Sequence, residues 1–309
     1  MNEIATLNFG QLNKCNNKKP LFIKDKSLND ILDKCSIIHQ NVQSLGNSID
    51  SVNNMLENNS SCKLLCITEH WKSPEELKML AIKNFNMVNA FCRGHGEHGG
   101  SAIYVHKSVK CKPRNKLNQL SIKNSFECAA VECTFGKDQL LVMSVYRPPL
   151  GSIDIFFNCL EKVLLDVFVE NKKIVMTGDF NIEMIKNNEN KTNLLSLMSS
   201  FNIVSTVFEN TRITSRTASC IDNIFVNCEY VNTLVLNTFI SDHTAQKLVL
   251  SLQRPHHHTS QFKRFFSEEN KQNFIHCLKE QNWREVFETD NTDVNKQWNC
   301  FINLFCRLF

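Results

Sequence analysis

In the stretch Lys172-Lys173-Ile174-Val175-Met176-Thr177-Gly178-Asp179-Phe180-Asn181, an apolar run of strand-forming residues ends at a glycine, then presents a carboxylate and a carboxamide two positions apart. In an extended backbone residues i and i+2 point to the same side, so the spacing predicts Asp179 and Asn181 facing one cavity, with Phe180 turned into packing. An anionic acceptor beside a neutral donor suits a phosphate ester: the carboxylate can activate a water and the amide can bond a non-bridging oxygen. Gly-Asp-x-Asn is equally good turn chemistry, because Asp and Asn tolerate unusual backbone angles.

The same arrangement of apolar run and polar tip recurs. Cys35-Ser-Ile-Ile-His-Gln-Asn41 ends at an amide, and Lys63-Leu-Leu-Cys-Ile-Thr-Glu69-His70-Trp71 at an acid; open α/β sheets place ligand crevices at such strand ends, although a lone acid there is also an ordinary solvated terminus. Tyr146-Arg147-Pro148-Pro149 stops another strand, because the prolines forbid its continuation and hold the phenol and guanidinium at an edge. That pair reads equally as a phosphate site and as a core tyrosine beside a surface arginine. Cys220-Ile221-Asp222-Asn223-Ile224-Phe225-Val226 carries an acid in an apolar strand, which is costly unless paired, and Ser241-Asp242-His243 offers the partner. One acid would orient the imidazole and the other face a metal. Thr211-Arg212-Ile213-Thr214-Ser215-Arg216-Thr217, rich in hydroxyls and guanidiniums, is either a phosphate-backbone contact or a plain solvated loop.

These tips need elements to hold them. Strand-like runs are expected at 85–91, 101–105, 126–134, 139–146, 203–208 and 245–252, with a hairpin at Phe135-Gly136-Lys137-Asp138. Successive hairpin-like strands imply antiparallel pairing and argue against a purely parallel doubly wound sheet. Helical spacing follows Leu45 through Ile49, Val52, Met55 and Leu56, then a helix capped by Ser152, and another capped by Thr192. Residues 1–34 read as a poorly ordered leader, and Pro255-His256-His257-His258 as a linker. Beyond Phe262 helices are expected, capped by Ser267 and preceded by Asp293, the last with a broad aromatic face.

Composition sets the outer bounds. With 309 residues, 42% hydrophobic and 21% charged, the chain allows one or two ordinary globular domains. No apolar run is long enough to span a bilayer, and the first ten residues lack a signal-peptide pattern, so an intracellular protein with no membrane partner is expected. The 14 cysteines are scattered through apolar runs without a C-x-x-C, which fits reduced, buried thiols rather than disulfides or zinc. A net charge of +4 permits a polyanionic partner without demanding one.

In order, Gln40-Asn41-Val42-Gln43-Ser44-Leu45, Thr68-Glu69-His70-Trp71, Tyr146-Arg147-Pro148-Pro149, Gly178-Asp179-Phe180-Asn181, Ile221-Asp222-Asn223-Ile224-Phe225 and Ser241-Asp242-His243 resemble the successive motifs of the endonuclease/exonuclease/phosphatase superfamily. More narrowly, they resemble the apurinic-type endonuclease domain of non-LTR (LINE, jockey-like) retrotransposons. The resemblance implies a four-layer α/β sandwich, two mixed and mostly antiparallel sheets packed face to face with flanking helices. The domain is expected over 35–253, with a linker and helical extension over 254–309 that resembles the segment joining such an endonuclease to a reverse transcriptase.

By the same resemblance Glu69, with Asn41 and Asp242, would hold Mg²⁺, with Mn²⁺ as an alternative. Asp179 would orient the attacking water, Asn181, Tyr146 and His243 would bind or neutralise the scissile phosphate, and Asp222 would fix the His243 tautomer. Arg147, Thr211, Arg212 and Thr214 would contact double-stranded DNA. The implied activity is Mg²⁺-dependent nicking that leaves a 3′-hydroxyl primer, in the nucleus, with retroelement RNA and a reverse transcriptase as partners in a full-length polyprotein. Rivals are a phosphatase or phosphodiesterase of the same superfamily and a non-catalytic DNA-binding remnant. Gln43 stands where repair-type relatives have a second acid, which puts a second metal in doubt, and Pro149 replaces a phosphate-binding asparagine, which weakens an abasic-site repair role.

Overall fold

A computed structural model describes residues 35–136, 138–250, 268–288 and 293–307. The expected leader, the domain boundary at 253 and the histidine linker lie outside the described residues. The chain runs β1 (Cys35–Asn41), α1 (Leu45–Glu57), β2 (Cys62–Thr68), α2 (Pro74–Met79), β3 (Phe85–Phe91), β4 (Ser101–His106), β5 (Lys110–Pro113), α3 (Asn115–Asn118), β6 (Glu127–Phe135) and β7 (Asp138–Tyr146). Then come α4 (Ile153–Phe168), β8 (Lys173–Asp179), α5 (Glu189–Ser200), β9 (Val204–Ser205), β10 (Arg212–Ile213), β11 (Ala218–Ser219), β12 (Asp222–Val226), β13 (Tyr230–Leu236) and β14 (Ala245–Leu250). The helices α6 (Glu268–Glu280), α7 (Arg284–Glu288) and α8 (Val294–Arg307) follow.

The strands form two six-stranded sheets, ordered β13-β14-β1-β2-β4-β3 and β5-β6-β7-β8-β12-β9, with β10-β11 a separate ribbon. Each sheet holds one parallel pair, β1 with β2 and β7 with β8, and its other pairings are antiparallel. A parallel pair needs a crossover, and α1 and α4 supply the two. Both sheets are therefore mixed and mostly antiparallel, as the motif order implied.

Alternation along the strands sorts the core. Ile37, Leu64 and Cys66 join the large apolar cluster that includes Val142, Val175 and Phe225, whereas Ile38, Leu65 and Ile67 pack with Val52, Met55 and Leu56 of α1. The sheets meet face to face, β2 on β7 and β8, and β12 on β14. Ser152 Oγ accepts from Ile155 N at 3.3 Å and starts α4, which buries Phe156, Leu160, Val163, Leu164 and Val167. The described cysteines are free thiols, most of them in these cores.

Two expected boundaries move. α5 starts at Glu189 because Asn188 is its cap, Oδ1 accepting from Lys191 N at 2.8 Å, while Thr192 lies inside the first turn and donates to Asn188 O. The strand expected over 203–208 pairs only at Val204–Ser205, because the Asn223 side chain takes both Val207 N and Val207 O in place of a ladder. In the helical extension Asp293 Oδ1 accepts from Asn295 N at 3.0 Å, and Trp283, Phe301, Phe305 and Phe274 form a run of ring contacts. α7 had no sequence expectation.

Candidate active site

The last residues of the four parallel strands meet at one end of the two sheets. In the second sheet the register sets Glu127 opposite Tyr146, Tyr146 opposite Asp179 and Asp179 opposite Asp222, so chemistry-bearing side chains from four neighbouring strands form one row. The row requires β7 and β8 to approach closely at Gly178, where a Cβ would lie 1.8 Å from Val145 O. Only glycine fits that position.

Asp179 is buried, with Oδ1 accepting from Asn181 N at 3.0 Å and Oδ2 from Asn41 Nδ2 at 2.9 Å. Burial first, and then the charge of Asp222, push its carboxyl up to about 8, against the pull of His243. Asp222 is also buried; its Oδ2 lies 2.8 Å from His243 Nδ1 and its backbone N–H donates to Thr211 Oγ1 at 3.0 Å. Burial alone would lower His243, but Asp222 outweighs it and raises the imidazole to about 9. His243 Nε2 is left 3.7 Å from Asp242 Oδ1.

The first sheet supplies the facing wall. Asn41 ends β1, and its amide donates to Glu69 Oε1 and to Asp179 Oδ2, 2.9 Å in each case, so one N–H₂ group bridges a carboxylate from each sheet. Glu69 and Trp71 both take left-handed backbone angles, φ 56° and 55°, held by bonds from Glu69 N to Gly100 O and from Trp71 N to Gly99 O. Trp71 Nε1 donates to Glu69 Oε2 at 3.2 Å. Tyr146 stands in register with Asp179; burial, followed by the charges of Glu69 and Asp179, raises its phenol.

Asn41, Glu69, Tyr146, Asp179, Asp222 and His243 are thus brought to one place, and other expected residues are not. Asn181 does not share a face with Asp179 by strand alternation: β8 ends at Asp179, Asn181 has φ 47°, and its Nδ2 donates to Arg147 O at 2.7 Å. Arg147 is a buried strut rather than a DNA contact, its guanidinium donating to the carbonyls of Phe180 (2.8 Å), Asn181 (2.8 Å), Gly151 (3.2 Å) and Pro148 (3.4 Å). Thr211 is fully buried and its hydroxyl is spent on Ile221 N and Asp222 N, so it too supports the site instead of facing DNA. Arg212 and Thr214 do lie at the rim, on the β10-β11 ribbon, with Arg212 Nε 2.8 Å from Asp242 Oδ2 and Thr214 exposed. Asp242 also accepts from Gln43 Nε2 at 2.7 Å.

Gln43, read from the sequence only as the replacement of an acid, steadies Asp242. Other contributors went unread: Glu127 with Arg93 steadies the Gly99-Gly100 turn. His39, fully buried, bonds Gln246 Oε1 at 2.6 Å and Thr68 Oγ1 at 3.1 Å, with Asp222 Oδ1 at 4.0 Å. The spacing held one unused signal: His39 is two residues before Asn41 on the same strand face.

Two places could hold a cation. Among the described residues Asp179, Asp222 and His243 have ligand atoms within 4.8 Å of one another. Of these, His243 Nδ1 and Asp222 Oδ2 are already committed to each other. The Glu69–Asn41 tip is the better fit, because it offers hard oxygens next to Asp179 and an amide whose oxygen and nitrogen exchange by a flip. Asp179 is buried, Glu69 is half-buried and the amide that bridges them is neutral, so a divalent cation there would stabilise the Asp179 anion.

Comparison with known proteins bears on the fold. Residues 140–246 match a family described as endonuclease-reverse transcriptase. No curated protein matches the chain. Among solved structures, the endonuclease domain of TRAS1, a telomere-specific non-LTR retrotransposon, matches with TM-score 0.57 at 14% identity, covering 71% of this chain and 99% of that one. D. rerio TDP2 complexed with single-strand DNA product gives 0.52 at 15%, with 71% and 99% covered. The 3′ phosphatase NExo from Neisseria, bound to a product DNA hairpin, gives 0.53 at 16%, with 70% and 99% covered. At these identities the likeness is one of fold.

Proposed function

We propose that this chain is a member of the endonuclease/exonuclease/phosphatase superfamily, supported by its fold and by the match over residues 140–246, and is the DNA-nicking endonuclease of a non-LTR retroelement. The observation that carries the reading is Asn41 Nδ2 bonded at 2.9 Å to both Glu69 and Asp179, beside an Asp222–His243 pair at 2.8 Å: acids from both sheets and an oriented imidazole brought together at one end of the strands.

Each residue has a role that its surroundings support. Asp179, held by Asn41 and by the Asn181 backbone, orients a water for attack on phosphorus. His243, kept protonated by Asp222, presents Nε2–H to a non-bridging phosphate oxygen, and the Tyr146 hydroxyl does the same from the opposite side. Asn181 acts through its backbone N–H on Asp179. Glu69, Asn41 and Asp242 are the residues that would hold Mg²⁺ or Mn²⁺, and the ion, when bound, supplies charge stabilisation at the leaving oxygen. Arg212 and Thr214 contact the duplex backbone from the ribbon. The product of one-strand cleavage is a 3′-hydroxyl, the end a reverse transcriptase extends; the chain works in the nucleus, in a polyprotein with that enzyme and its RNA.

Incubation of supercoiled plasmid with the protein and Mg²⁺ tests this. Nicking is expected, lost on addition of EDTA and reduced by about two to three orders of magnitude in Asp179→Ala and in His243→Ala. Undiminished nicking in both variants would overturn the assignment. Release of phosphate from a 3′-phosphorylated oligonucleotide without any nicking would favour a phosphomonoesterase instead.

A further inference from the structure

We propose that Trp71 and His98 form a stacking ledge beside Glu69 that receives an unpaired nucleobase of the strand being cut, a reading that rests on the nuclease assignment and adds the form of the substrate. Their rings lie nearly parallel, 12° apart with centroids separated by 3.9 Å. His98 is exposed and Trp71 half-buried, so the stack keeps an open face at the rim of the site.

The ledge is rigid because it is held from both sides. Trp71 is tied to the candidate cation-binding acid by its indole N–H, 3.2 Å from Glu69 Oε2, and to the neighbouring turn by its backbone N–H, 3.0 Å from Gly99 O. His98 precedes two glycines at φ 107° and 92°, whose missing side chains leave room for Arg93 and His70; a Cβ at Gly100 would lie 2.2 Å from His70 Nε2. The buried carboxylate of Glu127 accepts from Gly100 N at 2.7 Å and from Arg93 Nε at 2.6 Å, and Glu127 stands in register with Tyr146. The turn that carries His98 is thereby anchored to the same row of residues as Asp179.

Neither ring belongs to the apolar clusters of the core. The chemistry of the pair suits one class of ligand. Bases stacked in a duplex show only their edges to a protein, whereas a ring ledge offers a face, so it takes a base that has left the stack. Every base has such a face, so the preference is for unpaired structure and not for sequence. The indole's bond to Glu69 sets that base next to the scissile phosphate.

Two measurements decide it, one of which needs no cleavage. In EDTA at fixed salt, the anisotropy of a short fluorescein-labelled oligothymidylate is compared with that of a base-free sugar-phosphate chain of equal length. The native protein is expected to favour the thymidylate about tenfold, His98→Ala to lose that preference and His98→Phe to keep it. Equal binding of both chains, or a preference intact in His98→Ala, overturns the proposal; His98 is exposed, so its replacement leaves the fold standing. With Mg²⁺, a duplex bearing one bulged thymidine is expected to be cut with a KM about tenfold lower than a fully paired duplex, and His98→Ala to erase the difference. Discrimination in the binding arm without cutting of either duplex would leave the ledge standing and remove the nuclease.

Discussion

Asp179 is useful only because its neighbours manage its charge. Asn41 and the Asn181 backbone each donate one hydrogen bond to it, while Asp222, the acid that raises it, is itself turned toward His243. Arg147 secures the loop behind this arrangement, since two of the carbonyls it binds belong to Phe180 and Asn181. Arg147→Ala leaves these buried acceptors without donors and is expected to cost about 3 kcal/mol, which for a protein of this size lowers Tm by roughly 6–12 °C. Nicking should fall as well. Arg147→Lys should not restore it, because one ammonium cannot span carbonyls that a planar fork reaches together. A thermal scan of both variants checks this, and an unchanged Tm in Arg147→Ala would mean that the strut is dispensable.

At the scale of elements, each sheet contributes a β-α-β unit whose parallel strands end at the site, β1 and β2 at Asn41 and Thr68, β7 and β8 at Tyr146 and Asp179. Carboxyl ends of parallel strands are where open sheets bind ligands, because the chain leaves the ladder there and its polar tips are free to converge. The alignment of Tyr146 with Asp179 depends on the tight contact at Gly178. Gly178→Ala sets a Cβ against the Val145 carbonyl, and backbone on backbone has no room to give. A loss of at least about 4 kcal/mol is expected, seen as a drop in the urea midpoint or as failure to fold. A Gly178→Ala protein within about 1 kcal/mol of the native one would refute the close approach.

For the whole molecule, the largest charge cluster among the described residues lies away from the site, where Glu132 meets Lys172, Lys112 and Arg114, and Glu170 meets Arg114 and Lys172. Burial would raise Glu132, but the bonds from Lys172, Lys112 and Arg114 overcome it and hold it at about 2; Arg114 and then Lys172 hold Glu170 at about 2. Both carboxyls are held below their ordinary 4.5 in the folded protein, so the unfolded chain takes up protons first on acidification. The stabilisation is therefore complete above about 4.5 and lost as pH falls toward 2. Tm measured across that window should fall steeply in the native protein and less so in Glu132→Gln. Equal slopes would mean that the cluster is not linked to folding.

Much of this was legible before any coordinates. Short apolar runs with polar ends marked the strands, the hairpin before Asp138 marked antiparallel pairing, and the acid in the apolar run at Asp222 demanded the partner found in His243. What went astray were residues whose side chains turn toward backbone: Arg147, Thr211 and Asn181 look like ligands for phosphate as residue types, but each is consumed by main-chain groups remote in sequence.

Local order in a chain, then, determined which residues end strands and which charges need a partner, because periodicity and the cost of burying an unpaired acid act over a few positions. Only the tertiary structure decided which polar tips face the cleft and which brace it. That choice depends on distances between strands joined by long loops, as in the 2.9 Å from Asn41 to Asp179, and no spacing along the chain encodes it.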